Sequence, residues 1–268
     1  MKVQKTAGLV GAGGVSRSFL ARMPALLARL GPVKGASFQV SCRIANGLRA
    51  GFGVSSYRAL QECGLIWMVV PERLLDSVTQ QLAAEIDLDG KLVVLCDALR
   101  DSLWPSPLRT AGARVASLNC VPDSKERTFA AEGHPAAVAE LRRLLAMDGR
   151  KLIPLPAASK PLYLSGVYLG VHSLLPWIAG AVESLRAAGF PRAEAMRIVQ
   201  AQGVRALRAY AKAGDKAWNP AAAENLHSAI ERDLEALRLT DPRLALLYSD
   251  GAGLMRRFFR ERHKTAGK

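Results

Sequence analysis

Short apolar runs alternate with amphipathic stretches from residue 6 to about residue 155 of the chain. The apolar runs have the length and composition of strands, and they fall at Ala7–Val10, Phe38–Cys42, Leu65–Val70, Lys91–Cys96, Arg114–Leu118 and Lys151–Leu155. Helical spacing fills the intervals between them, over Ser16–Leu30, Pro71–Ile86, Leu103–Thr110 and Pro135–Met147. Strands separated by helices indicate right-handed crossovers, so the sequence predicts an α/β domain on a mainly parallel sheet.

The pattern changes after Pro154 and Pro156, beyond which only helical spacing is found. Ser159 can cap a helix that has Pro161 in its first turn. Three further segments show helical spacing behind a proline start, at Pro191–Ala213, Pro220–Leu239 and Pro242–Phe259. We therefore expect two domains, an α/β domain over residues 1–157 and an all-helical domain over residues 158–268.

One segment, from Pro161 to Val182, contains no acidic or basic side chain and is long enough to cross a bilayer. Against a membrane span, it contains His172, Ser173 and Pro176. A helix that is buried on all sides in a helical domain or in a dimer has the same composition. We expect the buried helix, and a chain without a membrane partner.

The strand predicted at Ala7–Val10 runs directly into a glycine-rich turn and a predicted helix. In such a unit the backbone can approach a pyrophosphate, and the N–H groups of the helix N-terminus point at it. Gly11 permits the tight turn, and Gly13 removes the Cβ that would keep a phosphate away. Ser16 stands where the third glycine of the dinucleotide fingerprint is usual, and a purely structural turn is the alternative. The predicted dinucleotide contacts are Gly11, Ala12, Gly13, Gly14, Val15 and Ser16.

The end of the second strand decides which dinucleotide such a domain accepts. A carboxylate there binds the 2′-hydroxyl of NAD, whereas a basic side chain accommodates the 2′-phosphate of NADP. No Asp or Glu occurs from Gly31 to Gln61, and the strand predicted at Phe38–Cys42 brings Ser41 and Arg43 to this place. Arg43 can bind a phosphate through its planar guanidinium, and Ser41 can donate a hydroxyl hydrogen bond. The sequence therefore predicts NADP(H); the alternative is that Arg43 only solvates a strand end.

The chain carries a formal net charge of +14, which attracts polyanions such as nucleic acid. The basic residues are scattered along amphipathic segments, so we expect no specific nucleic-acid partner; the one basic group, at the C-terminus, is Arg256, Arg257, Arg260, Arg262 and Lys264. The four cysteines form no C-x-x-C pair, and no side-chain cluster has metal-ligand spacing, so no metal is predicted. Because no signal peptide precedes the first strand, a reducing cytoplasmic location is expected.

Six motifs follow one another along the chain: G-A-G-G-V-S, S-C-R, M-V-V-P-E, V-V-L-C-D-A-L, V-A-S-L-N-C-V-P and S-K-P-L-Y. In this order they resemble a reductase-like family that pairs a Rossmann domain with a C-terminal helical domain of unknown function. That family is related to pyrroline-5-carboxylate reductases, ketopantoate reductases and 6-phosphogluconate dehydrogenase-like enzymes. The resemblance implies an NADP(H)-binding Rossmann-type parallel sheet domain, an all-helical dimerisation domain of the 6-phosphogluconate dehydrogenase C-terminal type, and a cleft between them.

The resemblance also implies roles for single residues. Val70 and Pro71 match the loop that passes along the nicotinamide side of the cofactor. Lys160 matches the start of the long helix that lines the cleft, where a lysine in related enzymes often donates a proton or anchors the substrate.

Several polar positions of the family are replaced in this chain. Family members usually carry a histidine and a serine where this chain has Cys96 and Asp97, and a His-Pro pair where it has Asn119 and Cys120. An asparagine is common where this chain has His172. The chemistry is therefore either built on different residues, or absent.

Hydride transfer belongs to the cofactor, so the protein must position the substrate and manage one proton. Lys160, at the start of an apolar helix, can donate that proton if desolvation lowers its pKa; the alternative is a solvated lysine. His172 titrates near neutrality, with a hydrogen-bonded core position as the alternative. Asp97 and Asn119 fall at predicted carboxyl ends of strands, where open parallel sheets bind ligands, although Asp97 can equally cap a turn.

These features predict an NADP(H)-binding oxidoreductase that works as a homodimer on a small carbonyl or imine substrate. The replaced motif residues leave a non-catalytic NADP(H)-binding sensor or scaffold as the first alternative. The net charge leaves a basic polyanion-binding protein as the second.

Overall fold

The computed structural model describes residues 6–12, 14–15, 18–122, 127–217 and 227–265. The chain divides into two compact units, Met1–Val167 and Tyr168–Lys268. Gly13 and Ser16, two of the predicted dinucleotide contacts, lie outside the described residues.

The first unit is built on one sheet, which has eight strands in the described part of the chain. In chain order they are β1 (Ala7–Gly11), β2 (Leu30–Lys34), β3 (Phe52–Val54), β4 (Leu65–Val69), β5 (Leu92–Cys96), β6 (Arg114–Cys120), β7 (Thr128–Gly133) and β8 (Lys151–Pro154). Across the sheet they lie in the order β3-β2-β1-β4-β5-β6-β7-β8. The two edge strands, β3 and β8, have only three and four residues.

Strands β1 to β6 run parallel to their neighbours, β7 pairs with β6 in the antiparallel direction, and β8 is parallel to β7. The order of the first six strands is that of a Rossmann domain. The predicted α/β class with a mainly parallel sheet is therefore confirmed.

The helices of the first unit lie on both faces of this sheet. They are α1 (Pro24–Leu27), α2 (Phe38–Leu48), α3 (Glu72–Glu85), α4 (Ser106–Thr110), α5 (Pro135–Met147) and α6 (Lys160–Val167). Successive residues of a strand point to opposite faces, and accordingly Trp67 and Met68 of β4 belong to two different core clusters. Trp67 shares its cluster with Leu141 of α5, and Met68 shares the other with Leu82 of α3.

The strand predicted at Phe38–Cys42 is wrong, because this segment begins helix α2. Its buried residues, Ser41, Ile44, Ala45 and Leu48, have the spacing of one helical face. The Ser37 hydroxyl caps this helix by accepting a hydrogen bond from the Val40 N–H. The true second strand is β2, whose sequence contains Gly31 and Pro32.

The single helix predicted at Ser16–Leu30 is also wrong. The described part of this segment forms a 3₁₀ turn at Phe19–Arg22 and the short helix α1, and it then enters β2 at Leu30. Pro24 opens α1, and a proline cannot continue a helix from the preceding turn without losing a backbone hydrogen bond.

The second unit is helical throughout its described residues, as predicted. It begins with a π-helical turn at Tyr168–His172 and continues with α7 (Leu174–Ala187), α8 (Arg192–Ala213), a 3₁₀ turn at Gly214–Ala217, α9 (His227–Thr240) and α10 (Pro242–Thr265). Helices α9 and α10 are joined where the Tyr248 hydroxyl donates to Asp233 Oδ2 over 2.9 Å.

The apolar stretch from Pro161 to Val182 is not buried in the single chain. Leu162 is 75% exposed and Leu169 is 63% exposed, and Leu175 is also largely exposed. The expectation that this stretch is buried within the helical domain is therefore wrong for most of it. Burial in a dimer, the other expectation, stays a prediction. Among the described residues, one helical stretch, Lys160–Ala187, is long and apolar enough to cross a membrane on those two criteria alone.

Candidate functional site

The centre of the sheet contains the crevice at which Rossmann domains bind dinucleotides. Strands β1 and β4 are neighbours, and from them the chain winds outward in opposite directions, to β2 and to β5. Ligands bind at the carboxyl ends of the strands at such a switch point. Here the Ala12 N–H donates to the Val69 carbonyl over 3.1 Å, which fixes the turn after β1 against the end of β4.

The glycines of the turn after β1 are required by its geometry. A Cβ on Gly11 would lie 2.7 Å from Val15 Cγ2, which is too close for two carbon atoms. Gly14 has a φ of 98°, in the left-handed region that residues with a Cβ rarely adopt. Val15 itself is buried beneath the turn, with 1% of its surface exposed. Backbone rather than side chain therefore forms the described surface of this turn.

Val70 and Pro71 follow β4 at the same edge of the sheet. Val70 is buried, and Pro71 is the N-cap residue of helix α3. Because the turn after β1 is hydrogen-bonded to Val69, these two residues follow directly on a residue that contacts it, and their place along the nicotinamide stays a prediction.

Ser41 and Arg43 do not lie at the end of the second strand. The Ser41 hydroxyl is completely buried, where it accepts from the Gly35 N–H over 2.8 Å. Its one O–H is shared between the Ser37 and Val54 carbonyls, both within hydrogen-bond distance. It thus holds the turn between β2 and α2 in place. Arg43 is exposed in the second turn of α2, so its contact with a 2′-phosphate stays a prediction.

The residues at the true end of β2 are Lys34 and the short turn that leads to the Ser37 cap. The Lys34 ammonium donates to the Gly35 carbonyl over 2.5 Å and lies 4.8 Å from the centre of the Tyr57 ring. Because no Asp or Glu occurs from Gly31 to Gln61, no carboxylate follows the end of β2 closely in the sequence. The end of β2 is therefore basic, although through a different residue from the one predicted.

Lys160 is enclosed in the first unit, with 1% of its surface exposed. Its ammonium donates to the Arg100 carbonyl over 2.7 Å and to the Ser117 hydroxyl. Arg100 belongs to the loop that follows β5, and Ser117 lies in the middle of β6. Lys160 thus connects the first turn of α6 to that loop and to the sheet, and the interpretation as a solvated lysine is wrong.

A chain of polar groups extends from Lys160 along β6 toward the carboxyl edge of the sheet. The Ser117 hydroxyl donates to Asn119 Oδ1 over 3.4 Å, and Asn119 Nδ2 donates to the Ala98 carbonyl over 3.2 Å. Ser117 and Asn119 are both buried. The structure therefore brings Lys160 and Asn119 into one network, with Ser117 between them.

Asp97 follows directly on the last residue of β5, in a left-handed backbone conformation with φ of 52°. One of its carboxylate oxygens accepts the Cys120 N–H over 3.0 Å, which links the ends of β5 and β6. Holding a residue other than glycine in this left-handed conformation costs about 1–3 kcal/mol of backbone strain. Residues strained in this way cluster at functional sites. Asp97 therefore lies at the carboxyl end of β5, and its contact with a ligand stays a prediction.

Burial lowers the pKa of Lys160 to about 8, against the opposing attraction of Glu132, Glu72 and other nearby carboxylates. Desolvation raises the pKa of Asp97, while its hydrogen bond from Cys120 and the charge of Lys160 act in the other direction. Desolvation also raises the pKa of Tyr163, so this phenol keeps its proton at neutral pH. The site thus contains a lysine that can release a proton close to physiological pH.

His172 lies in the second unit, in the π-helical turn, and its ring stacks on Tyr168 with 5.7 Å between the ring centres. It is exposed, so the interpretation as a hydrogen-bonded core histidine is wrong. Among the described residues, no group of three or more His, Cys, Asp or Glu could hold a metal ion.

Sequence reasoning missed two buried polar residues around Lys160, Glu132 and Ser117. Glu132 lies on β7 opposite Ser117, is 1% exposed, and accepts the Ser102 N–H over 2.7 Å. The strand β7 was not predicted, and Ser117 was read only as part of an apolar run. The two-residue spacing of Ser117 and Asn119 on one strand was the available signal, because it places both side chains on one face.

No protein-family model matches the chain, and no curated protein matches its sequence. Its structure is similar to an imine reductase from Myxococcus stipitatus in complex with NADP⁺, with 15% identity, a TM-score of 0.65, and 97% of this chain and 94% of that one covered. It is also similar to a reductive aminase from Aspergillus terreus in complex with NADPH4, cyclohexanone and allyl amine (14% identity, TM-score 0.62, 97% and 95% covered). A pyrroline-5-carboxylate reductase from Coxiella burnetii matches with 11% identity and a TM-score of 0.54, over 97% and 98% of the two chains. The chain therefore has the fold of these reductases, a Rossmann-type domain followed by a helical domain.

Proposed function

We propose that the protein is an NADP(H)-dependent oxidoreductase that reduces a small carbonyl or imine compound. The observation that carries the proposal is the turn after β1, at the switch point between β1 and β4, where Gly11 packs directly on the buried Val15 and Gly14 has a positive φ. The fold shared with reductases whose structures contain NADP⁺ or NADPH4 supports it.

The residues present fit a dinucleotide. A Cβ at Gly11 would meet the buried side chains of Val15 and Ile44, so only glycine allows this tight turn, and a tight glycine turn after the first strand is what a pyrophosphate site requires. In the proposal, the backbone from Gly11 to Val15 holds the pyrophosphate, and Val70 and Pro71 line the nicotinamide side. Lys34 and Ser37 bind the 2′-phosphate end, with Arg43 one turn further along α2. Bound there, NADPH supplies the hydride.

In the proposed site Lys160 provides positive charge and a proton for the reduced substrate. A protonated lysine with a pKa of about 8 suits a general acid that works near neutral pH. Ser117 holds the ammonium in place, and Asn119 and Asp97 position the substrate at the ends of β6 and β5. A catalytic role for His172, which belongs to the second unit, stays a prediction.

One observation favours a non-catalytic NADP(H)-binding sensor as the second candidate. Lys160 Nζ already donates to Arg100 and Ser117, and the side chain is enclosed. If the loop after β5 never moves, the lysine supports the fold of the loop and has no access to a substrate. Binding of NADPH without turnover of any carbonyl or imine would select this candidate.

Calorimetric titration with NADPH and NADH tests the cofactor. The wild-type protein should bind NADPH more tightly, because Lys34 ends β2 and no carboxylate follows. Lys34→Ala should weaken NADPH binding by about tenfold and leave NADH binding unchanged, since one charge-assisted hydrogen bond is lost. Arg43→Ala tests Arg43, the other basic residue proposed for the 2′-phosphate. Lys151→Ala, on the edge strand β8, is the control. Equal affinity of the wild-type protein for both dinucleotides would contradict the assignment.

A homodimer through the helical unit, in the cytoplasm, is part of the proposal. Large apolar side chains on α7 and α8, among them Leu175 and Leu207, are exposed in the single chain, and a second copy would cover them. The described cysteines are all free, which fits a reducing compartment. The proposed partners are a small-molecule substrate and a second copy of the chain, and neither a nucleic acid nor a membrane is among them.

Sedimentation should give about twice the chain mass of 28.8 kDa. Leu169→Glu should shift the protein to the monomer, because it places a charge on an exposed apolar residue of the same unit, in the turn before α7. Thr110→Glu adds the same charge to the first unit and should leave the dimer intact. A monomeric wild-type protein that needs detergent for solubility would point to a membrane instead.

A further inference from the structure

A second pocket lies in the first unit, away from the crevice between β1 and β4. Its volume is about 320 Å³, in the lower range of small-molecule sites. It is formed by the start of β6, the end of β7, the segment around α4 and one residue after β8; the lining residues are Ser102, Leu103, Arg109, Ala113, Val115, Glu132, Gly133, His134 and Ala157. Because β6 starts there, the pocket is at the amino-terminal edge of the parallel strands, opposite the turn after β1.

The wall of this pocket contains a buried carboxylate. Glu132 is 1% exposed, and its Oε1 accepts the Ser102 N–H over 2.7 Å. A buried carboxylate is costly unless it is hydrogen-bonded or faces a positive charge. The hydrogen bond from Ser102 uses one of its two oxygens, and Lys160 supplies a nearby positive charge. Oε2 keeps capacity for a donor from a ligand.

Basic side chains stand at the exposed part of the same pocket. Arg109 is exposed, and one guanidinium nitrogen donates to the Leu103 carbonyl over 3.0 Å, which orients the group and leaves its other N–H donors for a ligand. The His134 ring accepts the Ala136 N–H at Nδ1, so its Nε2 is also available. Leu103 and Val115 supply apolar wall between these groups and Glu132.

We propose that this pocket binds a small zwitterionic amino acid with an apolar side chain. Its ammonium group is held by Glu132, its carboxylate by Arg109, and its side chain packs against Leu103 and Val115. A buried carboxylate selects a cation, and the planar guanidinium matches a carboxylate with two parallel hydrogen bonds. Neither an anion alone nor a cation alone satisfies both ends of the pocket. Binding there requires neither the proposed cofactor nor turnover, although the charge of Glu132 also acts on the Lys160 ammonium.

Isothermal titration of the full chain with L-valine tests the proposal, with 3-methylbutanoate and isobutylamine as ligands that lack one charge each. L-valine should bind about tenfold or more tightly than either, because each control loses a charge-assisted contact. Arg109→Ala should weaken L-valine binding about tenfold, and Glu132→Gln should do the same if it folds. Arg142→Ala, an exposed arginine on α5, should have no effect.

Two results would overturn the proposal. One is that L-valine does not bind, or binds no better than 3-methylbutanoate. The other is that Arg109→Ala, whose side chain is at the surface and whose loss should not unfold the chain, binds L-valine as the wild-type protein does. Because the titration is done without a dinucleotide, it gives the same answer whether or not the oxidoreductase proposal holds.

Discussion

Lys160→Met should reduce turnover of a carbonyl or imine substrate by about 100-fold or more, while the affinity for NADPH stays within about twofold. General acid catalysis contributes about 10²–10⁴-fold in enzymes that use it. The Lys160 ammonium donates a hydrogen bond to Ser117, and Ser117 donates one to Asn119, so the proton of Lys160 belongs to this network. The turnover number and the NADPH dissociation constant, measured separately, distinguish loss of the acid from loss of the cofactor site.

The pH dependence of the wild-type protein belongs to the same prediction. A lysine that donates a proton must carry it, so the rate of reduction should fall as the pH rises through about 8, where Lys160 deprotonates. Lys160→Met should abolish that fall in any residual activity. Lys151→Met, which removes an exposed lysine on β8, should retain both the rate and its pH profile.

Stability gives a readout that does not depend on turnover. The folded-state pKa of Lys160, about 8, is below its ordinary value of 10.5, so the unfolded chain binds more protons between these two pH values. The contribution of this group to the free energy of unfolding therefore increases with pH across that window. Between pH 7 and pH 9, the wild-type protein should gain about 1 kcal/mol relative to Lys160→Met. An unchanged rate in Lys160→Met would reduce the lysine to this structural role.

Gly11→Val should weaken binding of both NADPH and NADH by about 100-fold. Even the Cβ of the new side chain would lie 2.7 Å from Val15 Cγ2 and 3.4 Å from Ile44 Cδ1, so the turn after β1 must move out of place. The backbone N–H groups would then no longer meet the pyrophosphate. Titration with both dinucleotides measures the effect, and a thermal melt verifies that the variant is folded.

A second substitution separates a steric effect at the turn from general damage. Gly11→Ala should lose less affinity than Gly11→Val, and Gly11→Ala combined with Val15→Ala should recover part of the loss, because Val15 supplies the nearest clashing atom. Coupling of this kind is expected only between residues in contact. If Gly11→Val binds both dinucleotides normally, the turn is structural and the proposed cofactor site is wrong.

The parts of the fold that the sequence predicts well are those with strong and regular patterns. The apolar runs that became β4 and β5 are buried on both faces, so their continuous hydrophobicity left no alternative. Helix α5 begins at Pro135 and ends at Met147, as its proline start and spacing predict. The all-helical second part follows from the same kind of pattern.

The failures have local physical causes. Strand β2 contains Gly31 and Pro32, two residues with low strand propensity, and its identity comes from pairing with β1 and β3. Strand β7 follows β6 without a helix between them and pairs with it in the antiparallel direction, which a regular alternation of strands and helices does not foresee. The sequence pattern places the second strand at Phe38–Cys42 and therefore points to Arg43, whereas the basic residue that ends β2 in the structure is Lys34.

The candidate site was predictable only where one segment determines it. The turn after β1 is a local motif, and its glycines could be read directly from the sequence. The network of Lys160, Ser117 and Glu132 joins three segments that are far apart in the chain, and no spacing along the sequence relates them. The burial of Lys160 likewise depends on the loop after β5, which lies across it.

The two borders of the sheet limit how copies of the protein can associate. The outer strand β3 offers three residues, and β8 offers four, of which the last, Pro154, has no N–H to donate. Another molecule can therefore form few backbone hydrogen bonds with either edge strand. Addition of further strands, the first step toward fibrils, is disfavoured. Contacts between native molecules are left to side chains on helices, which can be broken by dilution and reformed.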